Sequence, residues 1–520
     1  MVPVEDLLAG LPARISHLLW RREERSPEAP ALCHGSLVWS FRQLADAVRE
    51  TRALLVELGF RPGDRLMVVN ENCLALCVLI LAAADLDVWV AIINARLSAR
   101  EVDTIRDHCG ARRVFYTAEV SRDAAGHAER HRAQVQSLPH LGRIAIGTLN
   151  EGAVPEPVES SGADQVAALI YTSGTTGTPK GVMLTHRNIM FIGAVSSGIR
   201  GLAPDDRVYG VLPMSHVYGL SSVFVGTLYA GACLHVVAKF SPDTVLADLR
   251  SGITVLQGVP AMFAKLLEHV KAAGARVEAP SLRLIAGGGS PLDPVIKAET
   301  EALFGLPLHN GYGLTEASPT IAQTRLHQPR KDCSVGLVMP GVEIRILGQD
   351  SRSVPQGEVG ELWARGPGIM KGYYRAPEMT VRVIDAEGWL NTGDFAREGA
   401  DGSLFIVGRS KELIIRSGFN VYPNEVEAVL NAFPGITQSA VVGRPAAEGN
   451  EEVVAFVQAA PGAIIDSQEL SSFVTAQLAP YKRPAEIVVM EHLPAGATGK
   501  ILKNRLAEMA RQHIVQDMTK

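Results

Sequence analysis

Apolar positions in the first 150 residues alternate between helical spacing and short unbroken runs. From Phe41 to Leu58 they fall at Leu44, Val48, Leu54, Leu55 and Leu58, which predicts one buried face of a helix. Arg61-Pro-Gly-Asp64 then makes a turn, Leu66 to Val69 reads as a short strand, and Cys73 to Ala84 reads as a second helix. This is the rhythm of a parallel sheet covered by helices. It resumes after residue 160 with strand-like runs at Val166 to Tyr171, Val208 to Leu212, Leu234 to Val237, Val255 to Val259 and Leu282 to Ala286. From about Gly341 the texture changes. Val342 to Ile346, Gly360 to Trp363 and Leu404 to Val407 alternate apolar and polar residues or sit between Gly and Asp-Gly turns, which suits a small antiparallel sheet or barrel. From about residue 410, strands and helices alternate again in what reads as a separate α+β unit of roughly a hundred residues. The pattern predicts an α/β fold with a large N-terminal domain (1–409) of α/β sheets, including a small β-barrel-like part, and a small α+β C-terminal domain (410–520).

Composition narrows the class. The 520 residues carry a formal net charge of −5, with 47% apolar and 20% charged side chains, an ordinary balance for a soluble globular protein. At roughly 150 residues per domain the length allows about three or four folding units, or fewer large ones. Near-balanced charge leaves no electrostatic footprint for nucleic acid or an acidic membrane. Cys33, Cys73, Cys77, Cys109, Cys233 and Cys333 include no Cys-x-x-Cys pair and are too sparse for a disulfide scaffold, so they read as reduced thiols. The first ten residues carry Glu5 and Asp6 where a signal peptide needs basic charge followed by an apolar core. The most apolar window, Leu74 to Ile93, is interrupted by Asp85 and Asp87, which argues against a spanning helix. The last four residues form neither a prenylation box nor a peroxisomal tripeptide. A cytoplasmic protein without a membrane span is expected; the oligomeric state, monomer or homodimer, is not legible.

The sharpest local signal is Tyr171-Thr-Ser-Gly-Thr-Thr-Gly-Thr-Pro-Lys-Gly181. An apolar strand enters a loop of glycines and hydroxyls, closes on Lys180 and leads towards Thr185 and a helix. Glycines let backbone N–H groups approach a phosphate, hydroxyls add donors, and the lysine adds a point charge. The spacing differs from that of P-loop NTPases, because Gly174 is not followed by four residues and Gly-Lys-Ser/Thr. A flexible surface turn is the bland alternative. Five hydroxyls, three glycines and a lysine in the ten residues after an apolar strand argue against it.

Extended to Asn188, this run resembles the signature loop of the adenylate-forming superfamily, which comprises acyl-CoA and aryl-CoA synthetases, peptide-synthetase adenylation domains and beetle luciferases. Six further motifs follow in that family's order as far as Lys500. The resemblance implies that Thr172, Ser173, Gly174, Thr175, Thr176, Gly177 and Lys180 hold the β- and γ-phosphates of ATP. In Leu212-Pro-Met-Ser-His-Val-Tyr-Gly219, His216 takes the position beside the reacting carboxylate, with Val217, Tyr218 and Ser222 as acyl-pocket neighbours. Ala286-Gly-Gly-Gly-Ser-Pro-Leu292 is implied to pass beside adenine (Gly288) and to floor the acyl pocket (Gly287, Gly289), since only glycine lets backbone approach a flat ligand so closely.

Within Asn310-Gly-Tyr-Gly-Leu-Thr-Glu316, the resemblance assigns Asn310, Gly311 and Gly313 to the nucleotide site, with Gly313 also bordering the acyl pocket. Tyr312 stacks on adenine, Thr315 contacts the α-phosphate, and Glu316 holds magnesium. One carboxylate suffices for a hard cation that also binds substrate phosphates. Asp394, ending Gly388-Trp-Leu-Asn-Thr-Gly-Asp394, matches the ribose carboxylate, and Arg409 the residue that reaches ribose or phosphate. Lys411 stands at the family's hinge. The loop around Gly418, with Asn420, resembles the one that enters the site in the second half-reaction. Lys500, closing Leu493-Pro-Ala-Gly-Ala-Thr-Gly-Lys500, matches the catalytic lysine, a flexible ammonium that bridges the attacking carboxylate and the α-phosphate.

What the resemblance implies as a whole is an AMP-forming carboxylic acid–CoA ligase. ATP, Mg2+ and CoA would convert a small carboxylic acid to acyl-CoA, AMP and pyrophosphate through an acyl-adenylate, the mobile C-terminal domain rotating between half-reactions. The pocket positions are neutral and no Arg is evident for a second carboxylate, which favours a hydrophobic acid, medium-chain aliphatic or aryl. Two departures from the family pattern are Leu86 to Ile93, where a small Gly-Ala-Val run is common, and Ser215, where an aromatic or Leu is common. The rivals are an acyl-AMP ligase that loads a carrier protein, a luciferase, and a nucleotide-binding protein without turnover. His127 and His131, four apart in a polar segment, read as a solvated helix face rather than a zinc pair. No Gly-x-Ser-x-Gly elbow supports a serine hydrolase.

Overall fold

Strands covered by helices on both faces have no polar side, and the unbroken apolar runs of the N-terminal part become the parallel centres of two sheets. A computed structural model describes residues 3–173, 179–274, 276–416, 419–446, 450–460, 462–496 and 501–517. Among them, an eight-stranded sheet has Arg65–Asn70 parallel to Trp89–Asn94 on one side and to Arg113–Tyr116 on the other. A seven-stranded sheet runs Leu308–His309, Leu284–Gly287, Val255–Gly258, Arg207–Gly210, Cys233–Val236, Pro30–His34 and Leu37–Ser40, parallel throughout except for the final hairpin pair. Helix Leu74–Asp85 is apolar around its circumference and shares one core with strands of both sheets, as an all-apolar helix must. The helix expected from Phe41 onward spans Phe41–Glu57, opened by a capping box between Ser40 and Gln43.

Two segments differ from the sequence reading. Leu86 to Ile93, met as a departure from the family pattern, supplies the inner strand Trp89–Asn94, buried in all but its last residue and parallel to Val166–Ser173. After the segment expected to bind phosphate a strand, Pro179–Thr185, precedes the expected helix and returns antiparallel along Val166–Ser173, with Thr172 opposite Lys180. Val182 and Leu184 turn into the core, and Thr185 then caps helix His186–Ile199. The strands on either side of residues 174–178 therefore lie side by side in the sheet.

The antiparallel part expected after Gly341 is a four-stranded sheet of Glu343–Leu347, Gly360–Arg365, Leu390–Glu398 and Leu404–Arg409. Beyond residue 410, Ile436–Pro445, Glu451–Ala459 and Glu486–Met490 form a separate three-stranded sheet. Its apolar clusters contain no described residue from before position 410. His127 and His131 do not lie on a solvated face. His127 Nε2 sits 3.1 Å from the carbonyls of Ala95 and Leu97, and His131 Nε2 2.7 Å from Asp103. The cysteines are free thiols, all buried except the half-buried Cys333. No helix among the described residues is long and apolar enough to cross a membrane.

Candidate active site

The short strand Gly372–Tyr373 pairs with Pro179–Thr185, Tyr373 opposite Val182. That register points two expected site residues at one ring. Tyr373 Oη donates to Glu316 Oε1 at 2.7 Å, and Lys180 Nζ lies 5.1 Å from the centre of the Tyr373 ring, within reach of a cation–π contact. Burial and then the Glu316 charge push the Tyr373 hydroxyl above the usual phenol range, so it remains a donor. Glu316 sits in the turn Thr315–Ala317, and its second carboxylate oxygen makes no hydrogen bond among the described residues. One oriented carboxylate near Lys180, in the segment expected to bind phosphate, fits a magnesium ion that takes its remaining ligands from phosphate and water. Tyr373 escaped the sequence reading because nothing in its own stretch, Gly372-Tyr-Tyr-Arg375, marks it as chemical.

A second corner forms where Leu390–Glu398 meets Leu404–Arg409. Asp394, 2% exposed, pairs across the ladder with Arg409. Arg409 Nε approaches Oδ1 at 3.1 Å, and Tyr312 Oη donates to Oδ2 at 2.5 Å. Burial and the adjacent carboxylate hold the Tyr312 hydroxyl well above its ordinary pKa. The carboxylate expected to meet ribose is thus fixed by the ring expected to meet adenine. Asn310 braces the neighbouring loop: its Nδ2 donates to the carbonyls of Cys333 and Ser334 at 3.2 and 3.3 Å, and its Oδ1 accepts from the Gly311 N–H at 2.9 Å. At Gly313 a Cβ would come within 1.9 Å of the Pro319 carbonyl oxygen, so the tight return of the strand admits only glycine there. Thr315 is buried at the start of the following turn.

From this corner a cleft extends past Gly311 and Gly313 to Gly287, Gly288, Gly289, His216 and Tyr218. His216 is on the exposed side, its Nδ1 accepting from the Tyr218 N–H at 3.3 Å. A Cβ on Gly288 would sit 3.3 Å from both Tyr218 Cε1 and the Gly311 carbonyl, so the bare backbone lets the tyrosine ring lie close against the strand. Val217 and Ser222, expected to face the acid, are fully buried and do not line the cleft. Both belong to the tightly packed segment around Tyr218–Val225, where every side chain is covered.

The expectation of a cleft without a cation also fails. Arg200, at the C-terminal end of helix His186–Ile199, is 4% exposed and lines the cleft. Its guanidinium carbon lies 5.8 Å from the centre of the Tyr218 ring. Gly198-Ile-Arg-Gly201 carries no motif, so only the three-dimensional packing brings it to the site.

Gly174, Thr175, Thr176, Gly177, Gly418 and Lys500 lie outside the described residues. Thr172 and Ser173 end the strand Val166–Ser173. Lys411 is exposed in the single turn Ser410–Glu412, and Asn420, also exposed, pairs with Ile415 in the hairpin Ile414–Arg416 and Phe419–Val421.

Residues 19–374 match the AMP-binding enzyme family, and residues 425–500 match the AMP-binding enzyme C-terminal domain. The chain is 34% identical to the feruloyl-CoA synthase of an Amycolatopsis species, an alignment covering 94% of this chain and 97% of that one. It is 33% identical to the 4-coumarate–CoA ligase of Pinus taeda over 92% and 91% of the two chains. The crystal structure of ATP-bound MatB from Rhodopseudomonas palustris is similar at a TM-score of 0.83 and 30% identity, covering 95% of this chain and 98% of that one. With these likenesses added to the geometry, the chain belongs to the AMP-binding enzyme family and is an adenylate-forming acid–CoA ligase that uses ATP, Mg2+ and CoA.

Proposed function

We propose that this ligase activates an aryl carboxylic acid in two half-reactions at one cleft, its C-terminal domain (410–520) turning about Lys411 between them. The observation that carries this reading is the continuity of the cleft, which runs from the Tyr312 corner past Gly313 to His216 and Tyr218. An acid lying along it brings its carboxylate to the turn that holds Thr315 and Glu316. In the first half-reaction a carboxylate oxygen attacks the α-phosphorus and the bond to pyrophosphate breaks. Both reactants are anions, so positioning and charge neutralisation supply most of the rate. The Thr172–Lys180 segment holds the β- and γ-phosphates, Asp394 the ribose, Thr315 the α-phosphate and Lys500 the reacting oxygens. Glu316, oriented by Tyr373, would hold Mg2+, which neutralises phosphate charge there.

In the second half-reaction the CoA thiolate attacks the acyl carbonyl and the bond to the AMP oxygen breaks. Lys500 would stand on the thiol's approach, and a rotation at Lys411 exchanges it for the loop at Gly418 and Asn420. The Tyr218 ring and the bare backbone of Gly287–Gly289 favour a flat acid over a medium-chain aliphatic one. The substrates named by the feruloyl-CoA and 4-coumarate relatives support the same choice.

Pyrophosphate release with ATP, Mg2+ and a panel of aryl, aliphatic and dicarboxylic acids, each with and without CoA, tests the reading. Multiple turnover that requires CoA and is fastest with aryl acids is expected. A single burst that CoA does not relieve would indicate a carrier-protein acceptor, and no release with any acid would overturn the assignment.

A further inference from the structure

We propose that Arg200 receives a second anionic group on the acid, a carboxylate or sulfonate at the end remote from the reacting carboxylate. This rests on the ligase reading and narrows its substrate class. A guanidinium does not give up its proton in a protein, and burying its charge is costly unless it is paired. Other buried arginines of this chain show how the fold meets that need. Arg65, 1% exposed, donates to the carbonyls of Cys109, Gly63, Val154 and Gly110 at 2.6 to 3.1 Å. Arg112 donates to the carbonyls of Gly59 and Asn150 and lies 3.7 Å from the Asp64 carboxylate.

Arg200 is not satisfied in this way. Among the described residues its Nη1 reaches the Ser222 carbonyl only at 3.4 Å, its Nε has no hydrogen-bond partner, and its guanidinium faces the ring of Tyr218. No carboxylate among the described residues pairs with it; burial pulls its pKa down, and only Tyr218 opposes that pull. His309, which also lines the cleft, is engaged with Thr324 Oγ1 at 3.1 Å, and burial and then Arg200 itself disfavour its charged form. A planar cation with no carboxylate partner, lining a substrate cleft, is complementary to an oxyanion that can accept two parallel N–H bonds. An acid without that group would leave the charge buried and uncompensated, so the residue selects by penalty as well as by attraction.

The test compares matched acids that differ only in the second charge: cinnamate with 4-carboxycinnamate, benzoate with isophthalate, hexanoate with adipate. Thioester formation is measured with ATP, Mg2+ and CoA, and the Tm of the enzyme is measured with each acid plus ATP. At least one doubly charged acid should exceed its partner in kcat/KM by about 100-fold, the scale of a buried charge-assisted pair. Arg200→Met should collapse that ratio to near one, and Arg200→Lys should keep about a tenth of it, since an ammonium cannot make the planar double contact. A ratio near one in the wild type, or one that survives Arg200→Met, overturns the proposal. If Arg200→Met does not fold, the Arg200→Lys ratio decides.

If no acid of either kind is activated, the ligase reading fails, and the Tm data still judge Arg200. Protection by doubly charged acids that disappears in the variants supports the site. Absence of such protection, or equal protection by chloride or inorganic phosphate, overturns it.

Discussion

Both carboxylates proposed to serve the nucleotide already have partners from the chain. Asp394 is held between Arg409 and Tyr312, and Glu316 takes the hydroxyl of Tyr373. At the acyl end the buried cation Arg200 has a ring face and one long contact to a carbonyl. The difference follows from what each end must recognise. ATP is the same in every turnover, so the groups proposed to meet it can be fixed in advance, and a preorganised site needs no rearrangement as charge develops. The acid is what distinguishes one ligase from another, and an unneutralised charge discriminates strongly because the wrong acid leaves it buried alone. Removing a group at the nucleotide end should therefore slow all acids alike, whereas changing Arg200 should reorder them.

The largest effect expected of that contrast is at Lys500. Lys500→Ala should lower ATP-dependent pyrophosphate release by about 100- to 1000-fold, the usual cost of removing one preorganised charge-stabilising group. The loss should be equal for singly and doubly charged acids. A loss confined to one class would place Lys500 in acid recognition and break the division. Asp394→Asn comes next: it keeps the shape but weakens the contacts to Arg409 and Tyr312, and it should raise KM for ATP by roughly 10- to 100-fold, again without changing the order of acids. A steady-state titration of ATP against two acids checks both statements.

Lys411→Pro sharpens the comparison in time. If the turn Ser410–Glu412 is the pivot, fixing its backbone should spare pyrophosphate release in a single turnover yet slow thioester formation by about tenfold or more. Equal losses in both half-reactions would remove Lys411 from the hinge.

The residues expected to meet the nucleotide are marked more sharply in the sequence than those expected to meet the acid, and the reason is physical. The residues expected to act together in Thr172 to Lys180 and in Asn310 to Glu316 are neighbours in the chain, so each set shows as one motif. The strands themselves could be read because continuous apolar runs such as Leu66 to Val69 admit few other structures. Trp89–Asn94 was harder to place, since Asp85 and Asp87 precede a run that matched no expected motif, yet two acidic residues at a helix end do not prevent an inner strand from following. Tyr373 and Arg200 were out of reach. The first acts because Gly372–Tyr373 happens to pair with a strand far earlier in the chain, and the second because a helix ends against the segment around Tyr218. Val217 and Ser222 show the converse error: proximity to His216 in sequence does not decide which side chains face a cleft when the segment packs with every side chain covered.

Tyr373 offers the finest test of the paired nucleotide end. Tyr373→Phe keeps the ring against Lys180 and removes only the hydroxyl that orients Glu316. The net worth of one hydrogen bond to a charged acceptor, partly replaced by water, is about 1 kcal/mol, so the apparent KM for Mg2+ should rise by roughly fivefold while kcat changes little. Because burial and the neighbouring carboxylate push the hydroxyl above the ordinary phenol range, the wild-type contact persists as pH rises. The ratio of variant to wild-type KM should stay level between about pH 7 and about pH 9, below the unperturbed phenol pKa of roughly 10. A ratio that falls towards one with rising pH would mean that the phenol ionises and releases Glu316. The nucleotide end would then be as unsettled as the acyl end, and the contrast between them would lose its basis.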